Sequence, residues 1–111
     1  MSVFVDNIEK LTLENQNYRR VINTSAFSQL VLMSIKSGEG IDKEIHDIND
    51  QFIRIERGSA KIIINNQEYI AQDDFAIVVP AGAEHEVINT GNTELKLYSI
   101  YSPPHHPQGI I

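Results

Sequence analysis

The sequence predicts an all-β domain, a sandwich or barrel of short antiparallel strands. Two observations carry this expectation. First, apolar runs rich in Ile, Val, Phe and Tyr occupy residues 30–35, 52–55, 61–64, 68–70, 75–79, 86–88 and 95–101. Each has the length of a strand and is too short for an ordinary helix. Second, turn-forming residues stand between them: Gly58, Asn65-Asn66, Asp73-Asp74, Pro80-Ala81-Gly82 and Gly91-Asn92. Asn, Asp and Gly tolerate the positive φ that tight hairpins need.

Taken in order, residues 6–20 are polar and sparsely apolar, which fits a short arm or one turn of helix. In the 30–35 run, Met33 and Gln29 share the face opposite Leu30 and Leu32. Met33 is expected in the core, and Gln29 is placed to line a pocket mouth and meet a substrate. Arg54 and Glu56 share the parity opposite Gln51, which suits an ion pair on the outer face, and Phe52 lies on that outer parity too. On the last run Leu97, Ser99 and Tyr101 share one face. If that face is inward, the Tyr101 hydroxyl can reach a substrate. The tail Ser102-Pro103-Pro104-His105-His106-Pro107 cannot be a central strand, because proline has no N–H to donate. It is expected to run extended over the barrel, with His105 and His106 solvated by default and capping the barrel or reaching a partner subunit as the alternative. The whole chain, residues 1–111, reads as one domain: an N-terminal arm over 1–25, a barrel over 26–101 and a Pro/His tail over 102–111.

Composition narrows the function. Fifteen acidic residues against 9 Lys+Arg give a net charge of -6. That balance speaks against nucleic acid, whose binding uses clustered cations to displace counterions, and against an anionic membrane surface. Arg19-Arg20 is an isolated basic pair, not a patch. With no cysteine there is no disulfide, no thiolate nucleophile and no Cys-ligated zinc. The first residues carry acids and no long apolar run, unlike a signal peptide. No segment approaches the roughly 18 apolar residues of a membrane span. The expectation is a cytoplasmic protein.

Two segments carry metal-capable side chains. Glu44 and His46 are two apart and face one side of a strand. Gln51 lies five past His46 and returns to that side only if residues 47–50 form a loop or bulge. In the second segment, the Pro80–Gly82 turn presents His85 at the start of a new strand. Asp50 competes with Gln51, because it would supply a carboxylate one residue earlier.

This spacing resembles the cupin superfamily, whose motifs read G-x5-H-x-H-x3-4-E-x6-G and G-x5-P-x-G-x2-H-x3-N. Here Gly38, Glu44, His46, Gln51 and Gly58 stand at the first motif's positions, and Asp74, Pro80, Gly82, His85 and Asn89 at the second's. Glu44 replaces the first histidine, Gln51 the glutamate and Asp74 a turn glycine. The resemblance implies a double-stranded β-helix, or jelly-roll, barrel. It also implies one divalent metal ion (Zn, Fe, Mn or Ni) on Glu44, His46, Gln51 and His85, a small-molecule ligand, and pairing as a homodimer through an outer sheet. Two His and one carboxylate is also the donor set of non-haem Fe(II) sites. Three classes follow. One is a metal-dependent isomerase, cyclase or lyase acting on a sugar acid, keto acid or diketone. Some uronate-processing and polyketide-cyclising cupins, with glutamine at the place of Gln51, resemble this class. The second is an Fe(II) dioxygenase. The third is a non-catalytic module sensing a small ligand or metal, which would usually be fused to a DNA-binding domain.

Overall fold

A computed structural model describes residues 3–107. Among these, nine strands form two antiparallel sheets that face each other. The first sheet runs in the order β1 (Arg20–Thr24), β2 (Gln29–Ile35), β9 (Leu95–Ser102), β4 (Asp50–Arg57), β7 (Ala76–Val79). The second runs β3 (Gly40–Ile45), β8 (Glu84–Asn89), β5 (Ser59–Ile64), β6 (Gln67–Gln72). The predicted runs fall in strands, with Phe75 alone lying just before its strand. The sequence reading missed β1 and gave β3 no run of its own, since neither carries a dense apolar stretch.

Alternation explains the core. Along β4, Gln51, Ile53 and Ile55 are buried, while Phe52, Arg54 and Glu56 are only partly so. From the partner sheet come Ile62, Ala60 and Val87, which join Val31, Met33, Leu95 and Leu97 in one apolar cluster. Each fully buried Ile, Leu or Val side chain stabilises the fold by roughly 1.5–3 kcal/mol. The turns sit where the sequence puts them. Asn65 and Asn66 both have positive φ, 49° and 69°, and form the two-residue link between β5 and β6. Asp74 takes φ 71° at its turn position.

The segment 1–25 is more than an arm. Asn7 caps a short helix α1 (Ile8–Glu14), accepting a hydrogen bond from the Lys10 N–H at 3.0 Å. The chain then enters β1, which pairs with β2, so the sheet begins at Arg20, inside the expected arm. Helix α1 packs on the outer face of β2, β4 and β9. That is why Leu32 and Lys96, on the outer parity, are buried as completely as the core. The Lys96 ammonium donates to the Asn15 carbonyl at 2.5 Å and to Ser34 Oγ at 2.9 Å, with Glu94 3.7 Å away. The outer-face pair expected at Arg54 is present. Its guanidinium meets Glu56 at 3.2 Å and Asp74 at 3.0 Å.

Candidate metal centre

Both sheets contribute to one mouth of the barrel. On the second sheet, β3 and β8 pair so that Glu44 lies directly opposite His85. His46 follows immediately after β3, and residues 46–49 form the loop that the Gln51 offset requires. Backbone hydrogen bonds fasten the two motifs together. The Gly82 N–H donates to the His46 carbonyl at 2.9 Å, and the Asp50 carboxylate accepts from the Ala81 N–H at 2.9 Å. Gly82 takes φ +86°, a value that disfavours any side chain. The turn that delivers His85 is thus pinned to the loop that delivers His46. Asp50 is exposed and engaged in that pin, so Gln51 is the residue that faces inward.

The donor atoms of Glu44, His46 and His85 all lie within 4.8 Å of one another. Glu44 Oε1 stands 3.1 Å from His46 Nε2 and 3.5 Å from His85 Nε2. His85 Nδ1 lies 3.2 Å from the Ala83 carbonyl, which can only accept, so Nδ1 carries the proton. In the neutral ring the Nε2 lone pair is then free. That atom is buried and lacks a well-formed hydrogen bond, since 3.5 Å to Glu44 is long. A backbone carbonyl fixing the tautomer of an imidazole is the usual support behind a metal-binding histidine.

On the first sheet Gln51, 1% exposed, donates through Nε2 to Ser99 Oγ and to the Tyr101 hydroxyl, both at 3.2 Å. Its Oε1 is left buried and unpartnered. Orphaned buried acceptors are costly, and a cation is the partner that an amide oxygen and a free imidazole nitrogen have in common. The residues present therefore fit a divalent ion: Glu44, His46 and His85 form the tight cluster, and Gln51 Oε1, buried and unpartnered, is the candidate for a fourth, neutral donor.

Electrostatics agree. Burial opposes ionisation of Glu44, but its interactions with the His85 and His46 rings outweigh it and lower its pKa from the ordinary carboxylate value. For His85, burial favours the neutral ring, yet the Glu44 and Ala83 contacts prevail and raise its pKa. Burial, reinforced by the Glu44 charge, drives the Tyr101 hydroxyl far upward, so it stays protonated.

The structure corrects two expectations. Gln29 does not wait for a substrate. Its Oε1 accepts from the His105 and His106 N–H groups at 3.0 and 2.8 Å. Its Nε2 donates to the His106 carbonyl at 2.6 Å and to Thr24 Oγ1 at 3.0 Å. All four hydrogen-bonding positions are occupied, so Gln29 is a clamp on the tail. Nor is the tail simply solvated. Asn49 Nδ2 donates to the carbonyls of Pro103 and Pro104. The His105 ring packs 4.1 Å from that of His46 and 5.2 Å from that of Tyr101, although its outer side is exposed. His106 meets Tyr101 edge-on at 5.0 Å. The tail crosses the mouth beside the donor cluster, while the His105 nitrogens stay outside it. Tyr101 is where the sequence placed it, buried at the mouth with its hydroxyl beside Gln51.

Comparison with known proteins agrees with this architecture. The family model described as a cupin domain, Cupin_2, matches residues 31–101. The uncharacterized protein L612 of Acanthamoeba polyphaga mimivirus is 50% identical over 113 residues, covering 98% of this chain and 71% of that protein. YrkC of Bacillus subtilis, also uncharacterized, is 50% identical over 115 residues, covering 97% of this chain. This chain spans 61% of the length of YrkC. A crystal structure of a Bacillus halodurans protein superposes with a TM-score of 0.96 at 45% identity, covering 98% of this chain and 87% of that one. No helix among the described residues is long and apolar enough to cross a membrane.

Proposed function

This chain belongs to the cupin domain family, and from that premise we propose that it is a metal-dependent enzyme of isomerase or lyase type acting on a small oxygenated acid or ketone. The observation that carries the reading is the convergence of two imidazole Nε2 atoms on one oxygen of Glu44, at 3.1 and 3.5 Å, with the Gln51 amide oxygen buried and unpartnered. A divalent ion held by Glu44, His46, His85 and Gln51 supplies Lewis acidity toward an oxygen of the bound metabolite.

The chain's own groups do the rest. Tyr101 stays protonated and receives a hydrogen bond from Gln51 Nε2, which leaves its own proton free to orient a ligand oxygen. His105 stands over His46 and Tyr101 at the mouth, where an imidazole is placed to move a proton. The clamped tail limits water entry. A homodimer paired through the outer face around Phe52 is compatible with this arrangement, since it leaves the mouth free.

The two-His, one-carboxylate set also supports an Fe(II) dioxygenase. Two assays on reconstituted protein separate the readings. Isomerase or lyase chemistry exchanges a substrate C–H for deuterium in heavy water without consuming O2, and it proceeds with zinc. Iron-dependent O2 uptake with no exchange would replace it with the oxygenase reading.

A further inference from the structure

The β9 strand ends at Ser102, and the ladders that join it to β2 and β4 stop at Tyr101 and Ser102. Beyond that point the chain leaves the sheet and crosses the mouth. Pro103, Pro104 and Pro107 have no N–H, so residues 103–107 carry two backbone donors, those of His105 and His106. A single atom, Gln29 Oε1, accepts both, at 3.0 and 2.8 Å. Gln29 Nε2 completes the contact on the His106 carbonyl at 2.6 Å, and a further bond to Thr24 Oγ1 fixes the orientation of the amide. The preceding residues are held elsewhere. Asn49, in the loop that carries His46, donates to the carbonyls of Pro103 and Pro104 at 2.5 and 3.3 Å. One side chain thus anchors each end of the segment.

The segment lies over the donor cluster. The His105 ring centroid is 4.1 Å from that of His46 and 5.2 Å from that of Tyr101, and the His106 ring is 5.0 Å from Tyr101. With the segment in place the side chains of His46 and His85 are 5% and 1% exposed, and Glu44, at 34%, is the donor that solvent reaches. Yet the hold is narrow. His105 and Pro107 are exposed and His106 is half-buried, so little buried area backs the polar contacts. Segments tied by few contacts beside a rigid site are the ones that open. We propose that residues 105–107 are a lid over the metal site, latched by Gln29 and hinged at Pro103–Pro104 on Asn49, and that ions and ligands reach the cluster through the open form. The proposal rests on the metal-site reading for what passes beneath the lid, and on the tail contacts alone for the lid itself.

The test is the rate of zinc loading and of zinc removal by dipicolinate, followed by stopped flow beside the equilibrium affinity. It compares the parent protein, Gln29→Ala and a chain ending at Pro104. The last keeps all nine strands and removes the lid instead of the latch. Gln29→Ala loses three hydrogen bonds to the tail. Loading and removal should therefore both speed up at least about tenfold in it, with the affinity held within about twofold. The chain ending at Pro104 should exchange at least as fast. Unchanged rates in either variant would mean that zinc passes Glu44 with the tail closed, and would overturn the proposal. Faster removal with unchanged loading, and hence weaker affinity, overturns it too, because Gln29 would then support the site and not gate it. Should Gln29→Ala fail to fold, the chain ending at Pro104 decides alone. A parent protein that retains no zinc contradicts the metal reading instead. The lid is then decided on zinc-free protein: a soluble nitroxide should relax the His46 and Tyr101 ring protons faster once the chain ends at Pro104, and equal relaxation would refute the lid.

Discussion

Replacing Gln29 with alanine should free residues 105–107 from the mouth of the barrel. Three of the four Gln29 hydrogen bonds go to tail backbone: the N–H groups of His105 and His106 and the His106 carbonyl. At about 0.5–1.5 kcal/mol net for each, the substitution removes roughly 2–4 kcal/mol of docking free energy. Asn49 still holds Pro103 and Pro104, so release should be local and the barrel should melt cooperatively. Two kcal/mol corresponds to about a 30-fold shift in the open population. Hydrogen exchange read residue by residue therefore suits the measurement. The His105 and His106 amides should exchange roughly 30-fold faster or more, and β4 and β9 amides should keep their protection. Unchanged protection at His105 and His106 would show that Gln29 does not clamp the tail.

Other outcomes follow from the same geometry. His46→Ala should lower zinc occupancy more than Gln51→Ala, because imidazole is the stronger donor, and equal or reversed losses by elemental analysis would invert the ligand ranking. The His106 ring is pushed down to about 4, first by burial and then by the Arg19 charge. The fold therefore favours its neutral form. The stability this contributes is complete above the ordinary imidazole value of about 6.5 and is lost as pH falls toward the lowered one. An NMR titration should find its midpoint well below 6.5, and a midpoint at or above that value would place His106 in solvent. Lys96→Met should cost about 2–3 kcal/mol, because it removes a buried charge-assisted hydrogen bond and leaves the Asn15 carbonyl without its donor. Denaturant unfolding with a loss under about 0.5 kcal/mol would contradict that role.

Much of this was legible in the sequence because it is encoded by period and turn chemistry. The alternation in Gln51–Ile53–Ile55 fixes which face of β4 is inward, and paired asparagines encode the β5–β6 turn. The motif spacing placed Glu44, His46 and His85 within reach of one another. Some features were hidden because they depend on what covers a surface. Lys96 is buried only because α1 lies over the outer sheet, and no local pattern announces that. Gln29 carries the right parity for a mouth residue, but its partners are 76 and 77 positions away. Asp50 competed with Gln51 because its chemistry fits, but its carboxylate accepts from the Ala81 N–H.

The central claim is that Glu44, His46, His85 and Gln51 hold one divalent ion. Crystals grown with zinc and measured above and below the zinc absorption edge test it directly. A single strong anomalous peak per chain is expected, about 2.0–2.2 Å from the Glu44 carboxylate and from both Nε2 atoms, with Gln51 Oε1 nearby as the weaker donor. A cluster with no peak, or zinc found only on His105 and His106, would contradict the account.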